Sequence, residues 1–442
     1  MTSPRVVITG VGAISPLGLT AQDLWDGLIN GRSGIGHITA FDPAGFACQL
    51  AGQVPEYKLR NHIPKSSRKA AKLMSRDIQL CVIAANEALR HAEFNTPGME
   101  NDNPITLNPT RTAVILGAGL ISCDLEELAP AVAASLKNGQ FDLQQWGLEG
   151  IQHVTPLWLL KYLPNMLACH ISLIHDIQGP SNTITCAEAS GHLAVIEATQ
   201  IIQRGCADAA LCGGTEAKVN PIVLARQSLI NRATSQSNHA PDQACRPFDT
   251  NATGSVFGEG AGLLVLESLD KAQTRQAPIL AEIVGFGQSN CLNTPYENLE
   301  ADGMGVQIAL SKAIEKAGLS PDQIDLIIPH GTGVPRDDTA ENAALSAIFG
   351  DSLGKIPVLP TKSMLSNTGT AAGALDLITA VKVIQEARIP AAINCTDKAP
   401  NCHLAICSEQ LEKPIRHVLS CSYSYGGQTT AVILKTPLGK TQ

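Results

Sequence analysis

The chain has 442 residues, of which 44% are hydrophobic and 16% charged, enough apolar material for a large core. That balance excludes a disordered or collagen-like polymer. With 32 basic residues against 40 acidic ones the formal charge is −8, and aromatics are 4%. General nucleic-acid binding, which needs positive charge and stacking rings, is not expected.

No apolar run reaches the roughly 18 residues of a membrane span, and the opening Met-Thr-Ser-Pro-Arg lacks the apolar core of a signal peptide. The 13 cysteines are scattered without a Cys-x-x-Cys, as in the reduced thiols of a cytoplasmic protein.

In chain order, the first half predicts a strand over 6–12, a helix over 78–92 and a strand over 112–119. A helix over 190–204 and strands at 209–213 and 262–266 follow. The second half repeats the series with a strand over 281–287, a helix over 306–317 and a strand over 324–333. A helix over 373–387 and a strand over 430–435 complete it. The strands are nearly unbroken Val/Ile/Leu runs, as expected where helices cover both faces of a sheet. The expectation is one pseudo-duplicated α/β unit with its site at the junction of two halves, 1–268 and 269–442. Stretches 101–109, 122–163 and 227–242 fall outside the repeat.

Gly10-Val-Gly12 after the first strand lacks the third glycine of a dinucleotide fingerprint and reads as a tight strand-to-loop turn. No phosphate loop, HExxH or zinc-spaced Cys/His cluster occurs, and no metal is expected. The informative stretch is Gly179-Pro-Ser-Asn-Thr-Ile-Thr-Cys-Ala-Glu-Ala-Ser-Gly-His192. An extended run turns through small residues into a helix, exposing one side chain where free N–H groups favour negative charge. His330-Gly-Thr-Gly-Val, Lys362 in Thr-Lys-Ser-Met, and the turn Tyr423-Ser-Tyr-Gly-Gly are expected to converge on it.

These motifs, with Phe41-Asp-Pro, Gly213-Gly-Thr-Glu, Arg246-Pro-Phe-Asp and Gly258-Glu-Gly-Ala-Gly, carry a resemblance over essentially the whole chain. The sequence resembles the type II β-ketoacyl-acyl-carrier-protein synthases of the thiolase superfamily. The resemblance implies the thiolase-like αβαβα layered fold, a dimer, and an acyl carrier protein as partner. The carrier's phosphopantetheine arm brings the substrate, and no other cofactor is implied. Family members hold the acyl chain on a cysteine, while two histidines and a lysine support decarboxylation and carbanion attack.

Placed on that pattern, the nucleophile's position is Glu188, with Cys186 two residues early. His330 and Lys362 match, but the second histidine is Asn367. Thr332 is retained near the pantetheine arm, while the family's second threonine is Val334. The gating turn beside the acyl chain becomes Cys421-Ser-Tyr-Ser-Tyr-Gly-Gly, which places Tyr423, Tyr425 and Gly426 against substrate. A carboxylate is a weak nucleophile, and the anhydride it would form is hydrolysed rather than stored. Removing one donor to a developing oxyanion costs ~10²–10³ in rate.

The resemblance offers two precedents for a missing cysteine. Decarboxylating variants carry glutamine there but keep both histidines. Chain-length factors drift at several catalytic positions and pair with an active synthase. The loss of the second histidine points to the latter. Glu188 is then expected to accept the elbow's N–H groups and fill the old oxyanion hole. Alternatives are acid/base or decarboxylation chemistry by Glu188, His330 and Lys362, or condensation through Cys186, as in an active 3-oxoacyl-carrier-protein synthase. Lys362 and Glu341 are expected to form a buried ion pair, Asp338 to play a structural role, and His192 to be a core or helix-surface residue. In Lys65-Ser-Ser-Arg-Lys-Ala-Ala-Lys-Leu-Met-Ser-Arg76, Lys65, Arg68, Lys69, Lys72 and Arg76 share a face at helical spacing, suited to an acidic carrier protein.

Overall fold

The computed structural model describes residues 3–291 and 298–437. Its first half runs β1 (Val6–Ile14), α1 (Arg76–His91), β2 (Thr112–Ala118), α2 (Met166–His175), β3 (Ser181–Ile184), α3 (Ser190–Gln203), β4 (Ala209–Ala217) and β5 (Glu259–Ser268). Its second half runs β6 (Ala281–Asn290), α4 (Met304–Ala317), β7 (Leu326–Ile328), α5 (Pro335–Phe349), β8 (Pro357–Val358), α6 (Ala371–Glu386), β9 (His417–Tyr423) and β10 (Gln428–Lys435). In both halves the strands lie side by side in the order third, second, fourth, fifth, first. The first three of that order pair in parallel and the last two antiparallel. The two first strands, β1 and β6, pair antiparallel and join the halves into one sheet.

The layers follow from which faces are apolar. Helices α3 and α6 lie between the halves and share one buried cluster with residues of β1, β2, β4, β6 and β9. Helix α1 covers the outer face of the first half and α4 that of the second, each over its own cluster. This is the pseudo-duplicated αβαβα arrangement the sequence implies. The central layer is nearly all small or aliphatic, and it needs backbones to touch. A side chain at Gly214 of β4 would stand 2.2 Å from the Thr370 carbonyl at the entrance of α6.

Several expectations are corrected. Gly10 and Gly12 do not form a turn but lie inside β1, where α1 presses against the strand. The strand expected over 324–333 stops at Ile328, because Pro329 has no N–H for the ladder. Residues 65–76 are not one helical face: they form two tight turns, Lys65–Ser67 and Ala70–Leu73, before Ser75 caps α1 by accepting from the Ile78 N–H. Lys65, Arg68, Lys69 and Lys72 stay exposed, but Arg76 turns inward to bond Glu259 at 2.7 Å. The sequence also hid α5 and β9. Helix α5 opens on Pro-Arg-Asp-Asp, and β9 alternates serines with apolar residues although both its faces are buried.

Gly12→Ala should destabilise the protein by about 1–3 kcal/mol, since its Cβ would lie 2.1 Å from the Ala84 carbonyl. Chemical denaturation beside Gly147→Ala, where nothing lies within 4 Å, separates crowding from a general glycine effect.

Candidate active site

Glu188 is placed by the elbow between β3 and α3. Ala187 is held at φ +46°, a left-handed conformation alanine rarely adopts, and Ala187–Ala189 form one tight turn before the helix. Glu188 is 4% exposed there, and its carbonyl accepts from Ser422 Oγ at 2.9 Å. The carboxylate does not rest mainly on the elbow's N–H groups as expected; its own backbone N–H contributes least, after two side-chain cations. Lys218 Nζ donates to its Oε1 at 2.9 Å, and Asn367 Nδ2 lies 3.5 Å from the same oxygen. A full positive charge at contact outweighs the roughly half charge of a helix terminus.

Burial pushes the Glu188 carboxyl up, but Lys218 and then Arg232 more than offset it and hold it below its ordinary range. Burial lowers the Lys218 ammonium, and Glu188 and Glu216 more than restore it. Glu216 lies 3.8 Å from the same ammonium; burial keeps its carboxyl above the usual range, and its Oε2 accepts from the Thr370 N–H at 2.9 Å. The outcome is a buried carboxylate–ammonium–carboxyl row below the Lys218 contact with the Phe257 ring, 5.2 Å away.

His330 follows β7 and is 1% exposed. Burial, then Lys362 and Arg232, hold its pKa well below the ordinary value, so the ring is neutral. It lies edge-on to Tyr423 with centroids 4.4 Å apart, and its Nδ1 has no protein partner. Helix α5 clamps the loop that carries it. Glu341 accepts from the N–H groups of His330 at 2.7 Å and Gly331 at 2.8 Å, and from the Tyr423 hydroxyl at 3.2 Å. Asp338 accepts from the Thr332 N–H at 2.9 Å and the Phe248 N–H at 2.8 Å, the structural part expected of it. Thr332 is buried, its hydroxyl 3.4 Å from both Asp337 and Asp338.

Lys362 does not pair with Glu341 as expected. Its ammonium donates to Asp376 of α6 at 3.3 Å, while the Glu341 oxygens serve the loop backbone and Tyr423. His192 is a core residue: Nδ1 lies 3.2 Å from Thr430 Oγ1 and Nε2 3.3 Å from Ser420 Oγ, and burial lowers its pKa to about 3.

A cavity of about 610 Å³ reaches this site. Glu188, Glu216, Lys218 and Gln227 lie on its wall, with Tyr425, whose ring sits 4.7 Å under the Arg232 guanidinium. Arg232 in turn pairs with Asp337. Gly426 is half-buried beside Tyr425. Cys186 is absent from that wall; its N–H donates to Ser190 Oγ at 2.7 Å, and burial raises its thiol. Among the described residues no cluster of His, Cys, Asp or Glu is arranged to hold a metal.

The structure thus brings Glu188 and Asn367 together, and sets His330, Lys362 and Tyr423 around Asp376 and Glu341. It leaves Lys65, Arg68, Lys69 and Lys72 on the surface. Sequence reasoning missed Lys218, Asp376 and the Arg232–Asp337 pair. Two signals pointed to the first two: charges at alternating positions 216 and 218 where an apolar strand ends, and a carboxylate at 376 within the apolar body of a helix. Nothing local marks Arg232.

The family model "Beta-ketoacyl synthase, N-terminal domain" matches residues 3–272, and "Beta-ketoacyl synthase, C-terminal domain" matches residues 280–396. The chain belongs to the β-ketoacyl synthase family. It is 32% identical to 3-oxoacyl-[acyl-carrier-protein] synthase 2 of Synechocystis sp. over 98% of both chains. Its fold is similar to that of the ishigamide ketosynthase/chain length factor, with a TM-score of 0.83 and 30% identity over 99% of this chain and 100% of the other. A ketosynthase in complex with its type II polyketide acyl-carrier protein shares the fold at a TM-score of 0.81 and 24% identity, over 99% and 100%.

Lys218→Met strands a buried carboxylate and should cost ~3–5 kcal/mol; adding Glu188→Gln should recover most of it, as a denaturation cycle would measure. A pH dependence also follows. Burial raises Asp77, Glu87, Asp338 and Glu341 to about 7. Because these folded values lie above the ordinary 3.8–4.5, their stabilisation is complete at low pH and is lost as pH rises through about 7. His175 and His192, lowered to about 4 and about 3, act in the opposite direction only below 6.5. The melting temperature should therefore fall between pH 6.5 and 8.5, and a flat or rising profile would contradict these assignments.

Proposed function

We propose that this chain is a ketosynthase-like protein of fatty-acid or polyketide assembly that does not condense, and that it serves as the chain-length-factor-like half of a dimer with an active synthase. One observation carries the reading: at the nucleophile's elbow stands an ionised carboxylate tied to Lys218 and touching Asn367, where catalysis needs a thiolate and a second histidine. A locked carboxylate neither stores an acyl group nor leaves the enolate two imidazole donors.

The partners fit the same reading. The exposed Lys65, Arg68, Lys69 and Lys72 suit an acidic carrier protein, whose phosphopantetheine arm is the only cofactor the chemistry requires. Among the described residues, strand β3 is a sheet edge, half exposed and bonded to β2 alone. Helix α2, which packs against it, exposes Leu173 at 79%. An unpaired edge beside a bare leucine is how a soluble chain presents a strand-pairing interface, here to a synthase in the cytoplasm.

A second reading, acid/base or decarboxylation chemistry by Glu188, His330 and Lys362, is favoured by the cavity reaching Glu188. A third, an active 3-oxoacyl-carrier-protein synthase, matches the names of the relatives but has no thiol on the cavity.

Co-expression with candidate synthases and carrier proteins, followed by intact-mass analysis, decides among them. The expected result is a stable heterodimer that extends the chain only when the partner carries its own cysteine. Two-carbon extension by this polypeptide alone would overturn the proposal. Release of CO₂ from malonyl-carrier protein that Glu188→Ala abolishes would replace it with the second reading.

A further inference from the structure

A free edge strand is a template for any other strand, a second copy of the same chain included, and folded proteins guard such edges. Strand β3 carries a guard of its own. It pairs in parallel with β2 in the register Val114↔Ser181 to Gly117↔Ile184, and the Val114 N–H donates to the Pro180 carbonyl at 2.9 Å. Successive residues of a strand turn their backbone groups to opposite sides. Asn182 and Ile184 therefore face β2, while Ser181 and Thr183 face outward. The outward Thr183 N–H is already taken, because it donates to Asn182 Oδ1 at 2.8 Å. Asn182 itself is exposed. A strand that pairs across Thr183 must first pull that side chain away.

The cap weighs unequally on two kinds of partner. Two copies related by a twofold axis present the same patch to each other, so self-pairing breaks two caps. A different chain with no cap at the matching residue breaks only one. Exchanging one such hydrogen bond is worth roughly two- to tenfold in an equilibrium constant. One extra broken cap thus tilts the choice of partner without closing the edge. The edge also leads straight into the site: Thr185, next but one after Thr183, lies on the cavity wall with Ala187 and Glu188.

We infer that Asn182 is the specificity-determining residue of the β3 edge. It disfavours pairing with a second copy of this chain and leaves the edge to a strand of a different chain that lacks such a cap. This rests on the reading of the chain as one half of a heterodimer, and it names the means by which the partner is chosen.

The test uses the full-length protein and Asn182→Ala, with Ser181→Ala as a control that alters the same exposed edge and removes no cap. Sedimentation velocity over a dilution series reads self-association, and titration against the synthase obtained by co-expression reads the mixed pair. Asn182→Ala should strengthen self-association about fivefold or more, and the mixed pair by about the square root of that factor, since one cap is lost there instead of two. In the monomer, the Thr183 amide should exchange with solvent severalfold faster in Asn182→Ala at an unchanged melting profile, which ties the effect to the cap rather than to folding. Self-association unchanged or weakened by Asn182→Ala, an equal gain in Ser181→Ala, equal strengthening of both pairs, or an unaltered Thr183 amide would overturn the inference. If no synthase pairs with the chain, the proposed function fails, while self-association and amide exchange still judge Asn182 by themselves.

Discussion

Everything at the centre of this protein depends on two helices being allowed to approach without side chains between them. Gly191 opens α3 and Gly214 lies in β4, and a Cβ on either would stand 2.5 Å or 2.2 Å from the Thr370 carbonyl at the head of α6. The contact is reinforced by Thr370 itself, whose hydroxyl donates to the Thr215 carbonyl at 2.5 Å and whose N–H donates to Glu216. Because the fold is a duplication, the entrances of α3 and α6 occupy matching places in the two halves. Pressing these helices together brings the Glu188 elbow and the Lys362–Thr370 segment face to face. The site is thus a consequence of close backbone packing rather than of any single motif.

Within that junction the charges sort into two groups with different work. Glu188, Lys218 and Glu216 form a buried row on the cavity, with Arg232 and Asp337 beside it. Lys362, Asp376 and Glu341 hold the histidine loop and the first turn after β8. Buried ion pairs of this sort add little net stability, but removing one partner leaves the other stranded. That asymmetry explains how Glu188 can be fixed in place without contributing chemistry. His330 is neutral first because it is buried, and then because Lys362, Arg232 and Lys218 nearby would make a protonated imidazole one positive charge too many.

The fold was largely legible from periodicity. Unbroken Val/Ile/Leu strands and the repeated order of elements already implied a layered duplication, and β1, α1, β4 and α3 lie close to where the pattern put them. The failures have local causes. Helix α5 was hidden because its first turn carries Asp337 and Asp338, whose buried carboxylates bond a loop instead of facing water. The basic run over 65–76 has helical spacing, yet the chain turns twice there and Arg76 goes inward to Glu259.

The sequence alone determined that a carboxylate and an amide stand where a thiol and an imidazole are needed, since residue identity at a motif position requires no coordinates. It also determined that His330 and Lys362 are kept. Only the folded chain decided what those residues touch: Lys218 ahead of the elbow's N–H groups for Glu188, Asp376 rather than Glu341 for Lys362, and Asp337 for Arg232 across 105 positions. Such pairings depend on which strand end or helix face meets which across the junction. That is set by long-range packing, on which the spacing of charges along a chain is silent.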